Sequence, residues 1–328
     1  MQKRKLGQSG PELNPIGLGC MGLAAFYGPP TAQAEVNRLI HEAIDMGVEH
    51  FDTAELYMSN EEQLGEAFAG KRDKIFLATK FGILSDLPTD PSRRWVDGGE
   101  TNMRRAIEQS LKRLKTDHVD LYYLHRPDKN RPIEETIGAM AKLVQEGKVR
   151  GIGLSEASSE NIKRGAKVHP IAAIQTEYSI FTRDVETNVL PTLTEIGASL
   201  VAYSPLGRGM LTGAFSQQAV SAQDFRSTMA PRFAGAALEA NLALVREIEA
   251  VAEEKGAKPA QIALAWVLAR APNIHVIPGT TKIANLKTNQ GAAKVELSEA
   301  EEARLNALAA KVQGERYDEG GMKTLDTD

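Results

Sequence analysis

The sequence predicts an α/β fold, a (β/α)8 TIM barrel with an N-terminal β-hairpin and extra helices. Amphipathic helices, each ended by a glycine, alternate with short β-branched segments, which is typical of parallel strands covered by helices. Eight such segments occur within 328 residues, a number and a length that favour a closed barrel. We therefore expect one domain, residues 1–328. The candidate strands are 16–19, 50–52, 75–79, 119–125, 149–154, 172–177, 199–204 and 274–278.

The first part of the chain predicts a hairpin followed by regular helix–strand units. Residues 9–11 are Ser, Gly and Pro between two short segments, so we expect a hairpin that closes the bottom of the barrel. Apolar residues within 36–44 follow helical spacing, and Gly47 ends that helix before the second strand. Gly147 and Gly197 end helices in the same way before the fifth and seventh strands.

The regular spacing ends after the seventh strand, where residues 205–273 separate it from the eighth. Because long connections in a compact domain are usually functional, residues 205–232 are a candidate cover for a bound ligand. Helical patterns follow at 245–252 and at 259–270, the second beginning with a proline. Ser298 and Glu301 form a capping box that starts a final helix.

The composition indicates a soluble, cytoplasmic protein without a nucleic-acid or membrane partner. The formal net charge is -4, and no apolar run approaches the length of a membrane span. Cys20 is the only cysteine, so no intramolecular disulfide can form. The six histidines are scattered without a metal-binding spacing, and we expect no metal site. The oligomeric state is not specified by any pattern.

Four polar side chains are predicted to meet at one rim of the barrel. Asp52, Lys80 and His125 end the second, third and fourth strands, and Tyr57 follows Asp52 in the next loop. Each alone is better explained as a cap, a solvated lysine or a packing residue. Active sites of such barrels lie at the carboxyl ends of the strands, and a buried lysine needs an anion such as Asp52. Their joint placement therefore favours a catalytic site.

This combination suits the reduction of a carbonyl group. Negative charge develops on the carbonyl oxygen when it accepts a hydride, and a proton donor must neutralise it. Free tyrosine has a pKa near ~10, so we expect the Lys80 cation to lower the pKa of Tyr57, with Asp52 holding the lysine. His125 can donate a second hydrogen bond to the same oxygen. Tyr57 is then the general acid.

Three segments resemble the aldo-keto reductase superfamily: FDTAELY (51–57), ATK (78–80) and LYYLHRPD (121–128). The segments GLSEA and YSPLGRG resemble a mainly microbial branch of it. The resemblance implies reduction of aldehydes and ketones by a nicotinamide cofactor, with the catalytic tetrad at the four positions named above.

The resemblance also implies where the cofactor binds. The segment GLGCMG (17–22) fits the dinucleotide fingerprint by spacing, but no helix pattern follows it, so we do not expect a Rossmann site. In the family the cofactor lies extended across the barrel rim. The absence of an acidic residue beside Lys282 favours NADPH over NADH, because a lysine attracts the 2′-phosphate. The matching positions are Gly19, Cys20, Met21, Asp52, Ser155, Gln175, Tyr203, Ser204, Pro205, Leu206, Gly207, Arg208, Gly279, Thr281, Lys282, Asn285 and Asn289.

One position departs from the family pattern. Many members have Asn after the serine of the fifth strand, where this chain has Glu156. A carboxylate can accept a hydrogen bond from the nicotinamide carboxamide but cannot donate one. The carboxyl-terminal residues 315–328 are either a flexible tail or a cover for the substrate mouth. Aromatic and apolar side chains predicted to wall the substrate pocket are Met21, Phe26, Tyr27, Phe81 and Trp95.

Three alternatives share parts of this prediction. A barrel lyase would use Lys80 as a Schiff base, but the charge of Asp52 opposes the neutral lysine that it needs. A nicotinamide-binding sensor or regulatory subunit without substantial turnover would resemble potassium-channel β subunits, yet the complete tetrad favours an enzyme. A metal-dependent barrel hydrolase ranks last, because the histidine spacing does not fit one.

Overall fold

Eight parallel strands pair in chain order to form the central sheet of this computed structural model, which describes residues 2–86, 90–215, 224–228 and 230–328. All eight strands predicted from the sequence are confirmed, with boundaries that differ by a few residues. In the described ranges, the strands are β1 (Arg4–Lys5), β2 (Glu12–Leu13), β3 (Leu18–Gly19), β4 (His50–Asp52), β5 (Phe76–Phe81), β6 (Ile83–Asp86), β7 (Asp90–Val96), β8 (Val119–Leu124), β9 (Val149–Ser155), β10 (Ala173–Glu177), β11 (Ser199–Tyr203) and β12 (Ile274–Val276). The eight strands of the central sheet are β3, β4, β5 and β8 to β12.

The sheet closes into a barrel where its first and last strands meet. Parallel bridges join Ile16 to Val276 and Gly19 to Gly279. A Cβ on Gly19 would lie 2.7 Å from the carbonyl oxygen of Ile277, and one on Gly279 would lie 3.1 Å from that of Gly19. Glycine at both positions therefore permits this close backbone approach.

Helices cover the outside of the barrel and bury its outer face. Trp266 is fully buried, and its indole nitrogen donates to Asn306 Oδ1 at 3.0 Å. Among the described residues no helix is both long and apolar enough to cross a bilayer. The described helices are α1 (Gln33–Asp45), α2 (Asn60–Ala67), α3 (Glu100–Leu114), α4 (Ile133–Gln145), α5 (Ser159–Ala166), α6 (Val189–Ile196), α7 (Phe225–Thr228), α8 (Gly235–Glu254), α9 (Pro259–Ala269), α10 (Ile283–Gly291), α11 (Glu299–Asn306) and α12 (Glu319–Lys323).

The predicted amino-terminal hairpin closes the bottom of the barrel. Strands β1 and β2 pair antiparallel, and Leu6 and Leu13 pack among side chains of the barrel interior. The amide of Gly7 donates to Ser199 Oγ at 2.8 Å, at the beginning of β11. The hairpin thus lies at the amino ends of the strands, opposite the rim where the polar strand-end residues are expected.

A second hairpin, β6–β7, was not predicted. It follows β5 directly and pairs Ile83 with Val96 and Leu84 with Trp95 in antiparallel register. Trp95, one of the residues predicted to wall the substrate pocket, therefore lies on a strand, β7, and not on a loop. The polar, proline-containing sequence of this segment has no period-two apolar pattern that would indicate a strand.

The connection after β11 is described in part. Residues 207–212 form a short 3₁₀ segment, and the amide of Phe225 donates to the carbonyl of Phe26 at 2.9 Å. Within the predicted cover 205–232, residues 216–223 and 229 lie outside the described residues. The two helical patterns and the capping box beyond it are confirmed as α8, α9 and the start of α11.

Candidate active site

The structure brings the four predicted tetrad residues together at the carboxyl ends of the strands. Asp52 ends β4, and Lys80 precedes the last residue of β5, so both side chains reach the same rim. Lys80 Nζ donates to Asp52 Oδ1 and to the carbonyl oxygen of Thr53, the second bond being 2.7 Å long. Gln175 Nε2 donates to Asp52 Oδ2 at 2.7 Å. Both carboxylate oxygens of Asp52 are thereby held in place.

Lys80 is a buried cation. Its side chain is 0% exposed. Burial lowers the pKa of Lys80, but the negative charge of Asp52 and the Tyr57 hydroxyl outweigh it, so the pKa is raised above its ordinary value. The ammonium nitrogen lies 5.1 Å from the centroid of the Tyr57 ring. A permanent positive charge therefore stands beside the tyrosine.

Tyr57 and His125 face each other at this rim. Their ring centroids are 5.9 Å apart at an interplanar angle of 82°, and each residue is 8% exposed. Burial raises the pKa of the Tyr57 hydroxyl, and although the Lys80 charge lowers it, the net shift is upward. Lys80 lowers the pKa of Tyr57 as predicted, but burial raises that pKa by more. Tyr57 thus keeps its proton near neutral pH.

His125 is neutral near neutral pH. Burial lowers the pKa of His125 well below its ordinary value, and the charges of Arg126, Lys80 and Arg94 lower it further. A neutral imidazole can donate one hydrogen bond without adding a charge to the site. The site therefore holds a cation, a protonated phenol and a neutral imidazole within one cluster.

The strand-end residues matched to the nicotinamide end of the cofactor surround this cluster. Ser155 ends β9, and Gln175 is its registered partner on β10. The amide of Cys20, which follows β3, donates to the carbonyl of Asp52 at 2.8 Å. Cys20 itself is fully buried, and burial raises the pKa of its thiol. Backbone and side-chain donors from three strands thus border the tetrad.

The loop after β11 contains the residues matched to the pyrophosphate. Ser204, Gly207 and Arg208 have positive φ values of 48°, 54° and 55°. Arg208 Nη2 donates to Glu177 Oε2 at 2.8 Å. Its guanidinium carbon lies 4.6 Å from the ring centroid of Phe225 and 4.8 Å from that of Tyr317. Arg208 is thereby held between two aromatic rings at the rim.

Glu156 is the residue that departs from the family pattern, and its carboxylate binds the guanidinium of Arg316. Its φ is 53°, and it is 4% exposed. Arg316 donates to both of its carboxylate oxygens at 2.9 Å. Although burial opposes ionisation, Arg316 and the neighbouring donors hold the pKa of Glu156 at about 2. Further donors to Oε1 are Thr176 Oγ1, the amide of Glu177 and the hydroxyl of Tyr203.

The carboxyl-terminal segment folds against the rim. Tyr317 and Tyr203 share a hydrogen bond of 2.8 Å between their hydroxyls. The carboxylate of Asp326 accepts from the amide of Ser158 at 2.9 Å and from Asn161 Nδ2 at 2.7 Å, at the start of α5. The terminal segment therefore packs against the rim beside Tyr203 and the start of α5. Sequence reasoning missed Arg316, although a buried Glu156 implied a cation partner.

The residues matched to the adenosine end extend from β12 into α10. Gly279 follows β12 in the chain, and Thr281, Lys282 and Asn285 are exposed around the start of α10. Lys282 forms no ion pair with a described residue. Asn289 is 3% exposed and lies on the inner side of the helix.

The residues predicted to wall the substrate pocket do not all lie together. Met21 and Phe26 pack against Tyr57, whose ring centroid is 6.2 Å from that of Phe26. Tyr27 lies beside Arg226, with 5.1 Å between the guanidinium carbon and the ring centroid. Phe81 does not join them. It is 1% exposed and stacks on Tyr122 at 5.0 Å between barrel and helices.

Solved structures of similar proteins share the fold of this chain. The chain is similar to a thermostable aldo-keto reductase, Tm1743, solved with the inhibitor epalrestat, at 33% identity over 94% of this chain and 100% of that one, with a TM-score of 0.75. It is also similar to the glycerol dehydrogenase AKR11B4 from Gluconobacter oxydans, at 29% identity over 97% and 98%, with a TM-score of 0.84.

An aldo-keto reductase from Klebsiella pneumoniae, solved in complex with NADPH, matches at 28% identity over 97% of this chain and 99% of that one, with a TM-score of 0.74. The model of the aldo/keto reductase family matches residues 15–310. The chain therefore belongs to the aldo/keto reductase family of oxidoreductases.

Proposed function

We propose that this protein reduces aldehydes and ketones to alcohols with NADPH, and that Tyr57 is the general acid. The observation that supports the proposal most strongly is the buried Lys80–Asp52 pair, whose ammonium nitrogen lies 5.1 Å from the Tyr57 ring centroid. The reduced nicotinamide supplies a hydride to the carbonyl carbon when it is bound. General carbonyl reduction agrees with the family of the chain.

The residues of the chain have separate tasks in this reaction. His125, as a neutral imidazole, donates a hydrogen bond to the carbonyl oxygen and orients it. Tyr57 donates its proton as negative charge develops on that oxygen. Lys80 stabilises the phenolate that remains, and Asp52 holds the ammonium group beside it.

The polar groups along the rim fit a dinucleotide that lies across it. Polar strand ends surround the tetrad, and the glycine-containing loop at 204–208 follows β11. At the far end, Lys282 precedes α10 and is exposed without an ion pair among the described residues, as a 2′-phosphate contact requires. This charge supports our proposal that NADPH is preferred over NADH.

The alternatives are weaker on specific grounds. A Schiff base at Lys80 needs a neutral amine, whereas Asp52 raises the pKa of this lysine. A nicotinamide-binding sensor without substantial turnover would share the cofactor site. It would differ in having no carbonyl substrate, so turnover distinguishes the two.

The experiment measures loss of reduced-nicotinamide absorbance with a panel of aromatic aldehydes, dicarbonyls and ketones. We expect turnover with NADPH, a lower kcat/KM with NADH, and loss of most turnover in Tyr57→Phe with cofactor binding retained. Tyr122→Phe is the matched control, because Tyr122 is buried on the outer face of β8. Cofactor binding without turnover of any carbonyl would favour the sensor.

A further inference from the structure

Arg126, which follows the catalytic histidine in the chain, is a buried guanidinium at the centre of the rim. It is 8% exposed. Its Nη1 donates to the carbonyl of His125 at 2.7 Å and to Ser155 Oγ at 3.2 Å. Its Nε is buried and has no hydrogen-bond partner. Both acceptors are neutral, so neither forms an ion pair with the guanidinium.

The other buried cations of the site are each neutralised by a carboxylate. Lys80 pairs with Asp52, Arg316 with Glu156, and Arg208 with Glu177. In the part of the chain that the structure describes, no carboxylate oxygen lies within 4.0 Å of a nitrogen of Arg126. Placing a charge in a buried site is costly unless an anion pairs with it. Arg126 therefore lacks the direct ion pair that its neighbours have, although the more distant charge of Glu156 acts on both Arg126 and Arg316.

The charge of Arg126 acts on the reacting groups. It contributes to lowering the pKa of His125 and opposes the rise in the pKa of Tyr57. Arg126 follows His125 in the chain, and its guanidinium reaches the Ser155 hydroxyl at the same rim. A carboxylate on a substrate bound at this rim is an anion that the guanidinium could bind.

A second arginine lies beside a residue predicted to wall the substrate pocket. The guanidinium carbon of Arg94, on β7, lies 5.6 Å from the ring centroid of Phe26. Arg94 also contributes to lowering the pKa of His125, and the carboxylate of Asp318 acts on Arg94. Arg94 is exposed and adds a second positive charge near the tetrad, which attracts anions.

We propose that Arg126 binds the carboxylate of the substrate, so that the preferred substrates are carbonyl compounds that carry a carboxylate group. This inference rests on the proposed reductase function and narrows its substrate class. A guanidinium binds a carboxylate through two parallel hydrogen bonds, which fixes the orientation of the attached carbonyl. The nearby charge of Arg94 also attracts such anions.

The test compares two para-substituted aldehydes of similar shape, 4-carboxybenzaldehyde and the neutral 4-nitrobenzaldehyde. Their intrinsic reactivities differ, but the difference cancels when the ratio of their kcat/KM values is compared between variants. We expect Arg126→Met to lower the ratio of charged to neutral substrate by about tenfold to a hundredfold, the size of a lost charged hydrogen bond. Arg126→Lys keeps the charge and should restore part of the ratio.

Arg131→Met is the matched control, because Arg131 lies on the same loop and pairs at the surface with Glu135. It should leave the ratio unchanged. If Arg126→Met also leaves the ratio unchanged, the proposal is wrong. A rise in the KM for NADPH in Arg126→Met with an unchanged ratio would assign the residue to the cofactor instead.

A second measurement separates this inference from the proposed function. Calorimetric titration of the NADP⁺-loaded protein with benzoate or benzamide needs no turnover. We expect benzoate to bind the wild-type protein more tightly than benzamide, and Arg126→Met to remove the difference. Equal binding of both ligands would overturn the carboxylate site. Preferential benzoate binding without turnover of any aldehyde would support the carboxylate site and contradict the reductase function.

Discussion

Replacement of Arg316 by Met tests whether the carboxyl-terminal segment is held by its ion pair with Glu156. The substitution keeps an extended side chain of similar reach but removes the two hydrogen bonds of 2.9 Å to the carboxylate. Glu156 then remains in its left-handed backbone conformation, buried at 4% exposure, without its cation. A buried charge without a partner destabilises the folded state.

The size of the expected loss in the free energy of unfolding follows from the pKa of Glu156. Burial raises this pKa, but Arg316, Arg126 and the neighbouring donors bring it from 4.5 to about 2. Such a shift corresponds to about 3 kcal/mol of stabilisation of the ionised group. Because Arg126 and the neighbouring donors supply part of this stabilisation, we expect Arg316→Met to lower the free energy of unfolding by about 2–3 kcal/mol at neutral pH. Because the folded pKa lies below the unfolded one, this difference is complete above about pH 4.5 and diminishes towards about pH 2.

Urea denaturation at a series of pH values between these limits measures the effect. Arg164→Met is the matched control, because Arg164 binds Glu134 through two hydrogen bonds of 2.8 Å in an exposed pair. An exposed pair is screened by solvent, so its loss should cost much less. Equal effects of the two substitutions, or a loss for Arg316→Met that does not change with pH, would refute this reasoning.

Further substitutions test the cofactor site and the core. Lys282→Ala should raise the KM for NADPH more than that for NADH, because a 2′-phosphate contact is lost, whereas Lys287→Ala on the same helix should not; an equal effect on both cofactors would contradict it. Trp266→Ala should lower the free energy of unfolding by about 3–5 kcal/mol in urea titrations, because a fully buried ring is removed, and a loss below about 1 kcal/mol would not fit. Gly19→Ala should destabilise the barrel more than Gly279→Ala, because its Cβ would lie 2.7 Å rather than 3.1 Å from a backbone oxygen; the reverse order of melting temperatures would count against this account of the closure.

The barrel and the tetrad were predictable because both follow from local patterns. Each barrel strand after the first is a short apolar segment preceded by a helix, and consecutive parallel strands place their carboxyl ends at one rim. Asp52, Lys80 and His125 stand at such ends, so their proximity follows once the order of the strands is known. The β6–β7 hairpin lies outside this regularity, and its composition resembles a loop.

Two further differences between the sequence prediction and the structure have physical reasons. Phe81 neighbours Lys80 on β5, and successive side chains of a strand point to opposite faces. Since Lys80 faces the site, Phe81 must face the helices, and the alternation alone could have excluded it. The Arg316–Glu156 pair joins residues far apart in the chain, and the terminal segment has no hydrophobic period. Only the burial of Glu156 could have indicated that a cation would meet it.

The central claim is that the chain transfers a hydride to a carbonyl carbon, and isotope transfer tests it most directly. The protein is incubated with an accepted aldehyde and with NADPH that carries deuterium at one or the other position of the nicotinamide C4, and the alcohol is analysed by mass spectrometry. We predict that one of the two labelled cofactors gives alcohol with a single deuterium on the carbinol carbon, and that Tyr57→Phe abolishes most of this product. Tight binding of NADPH with no deuterium in any product, for any carbonyl compound tested, would contradict the claim.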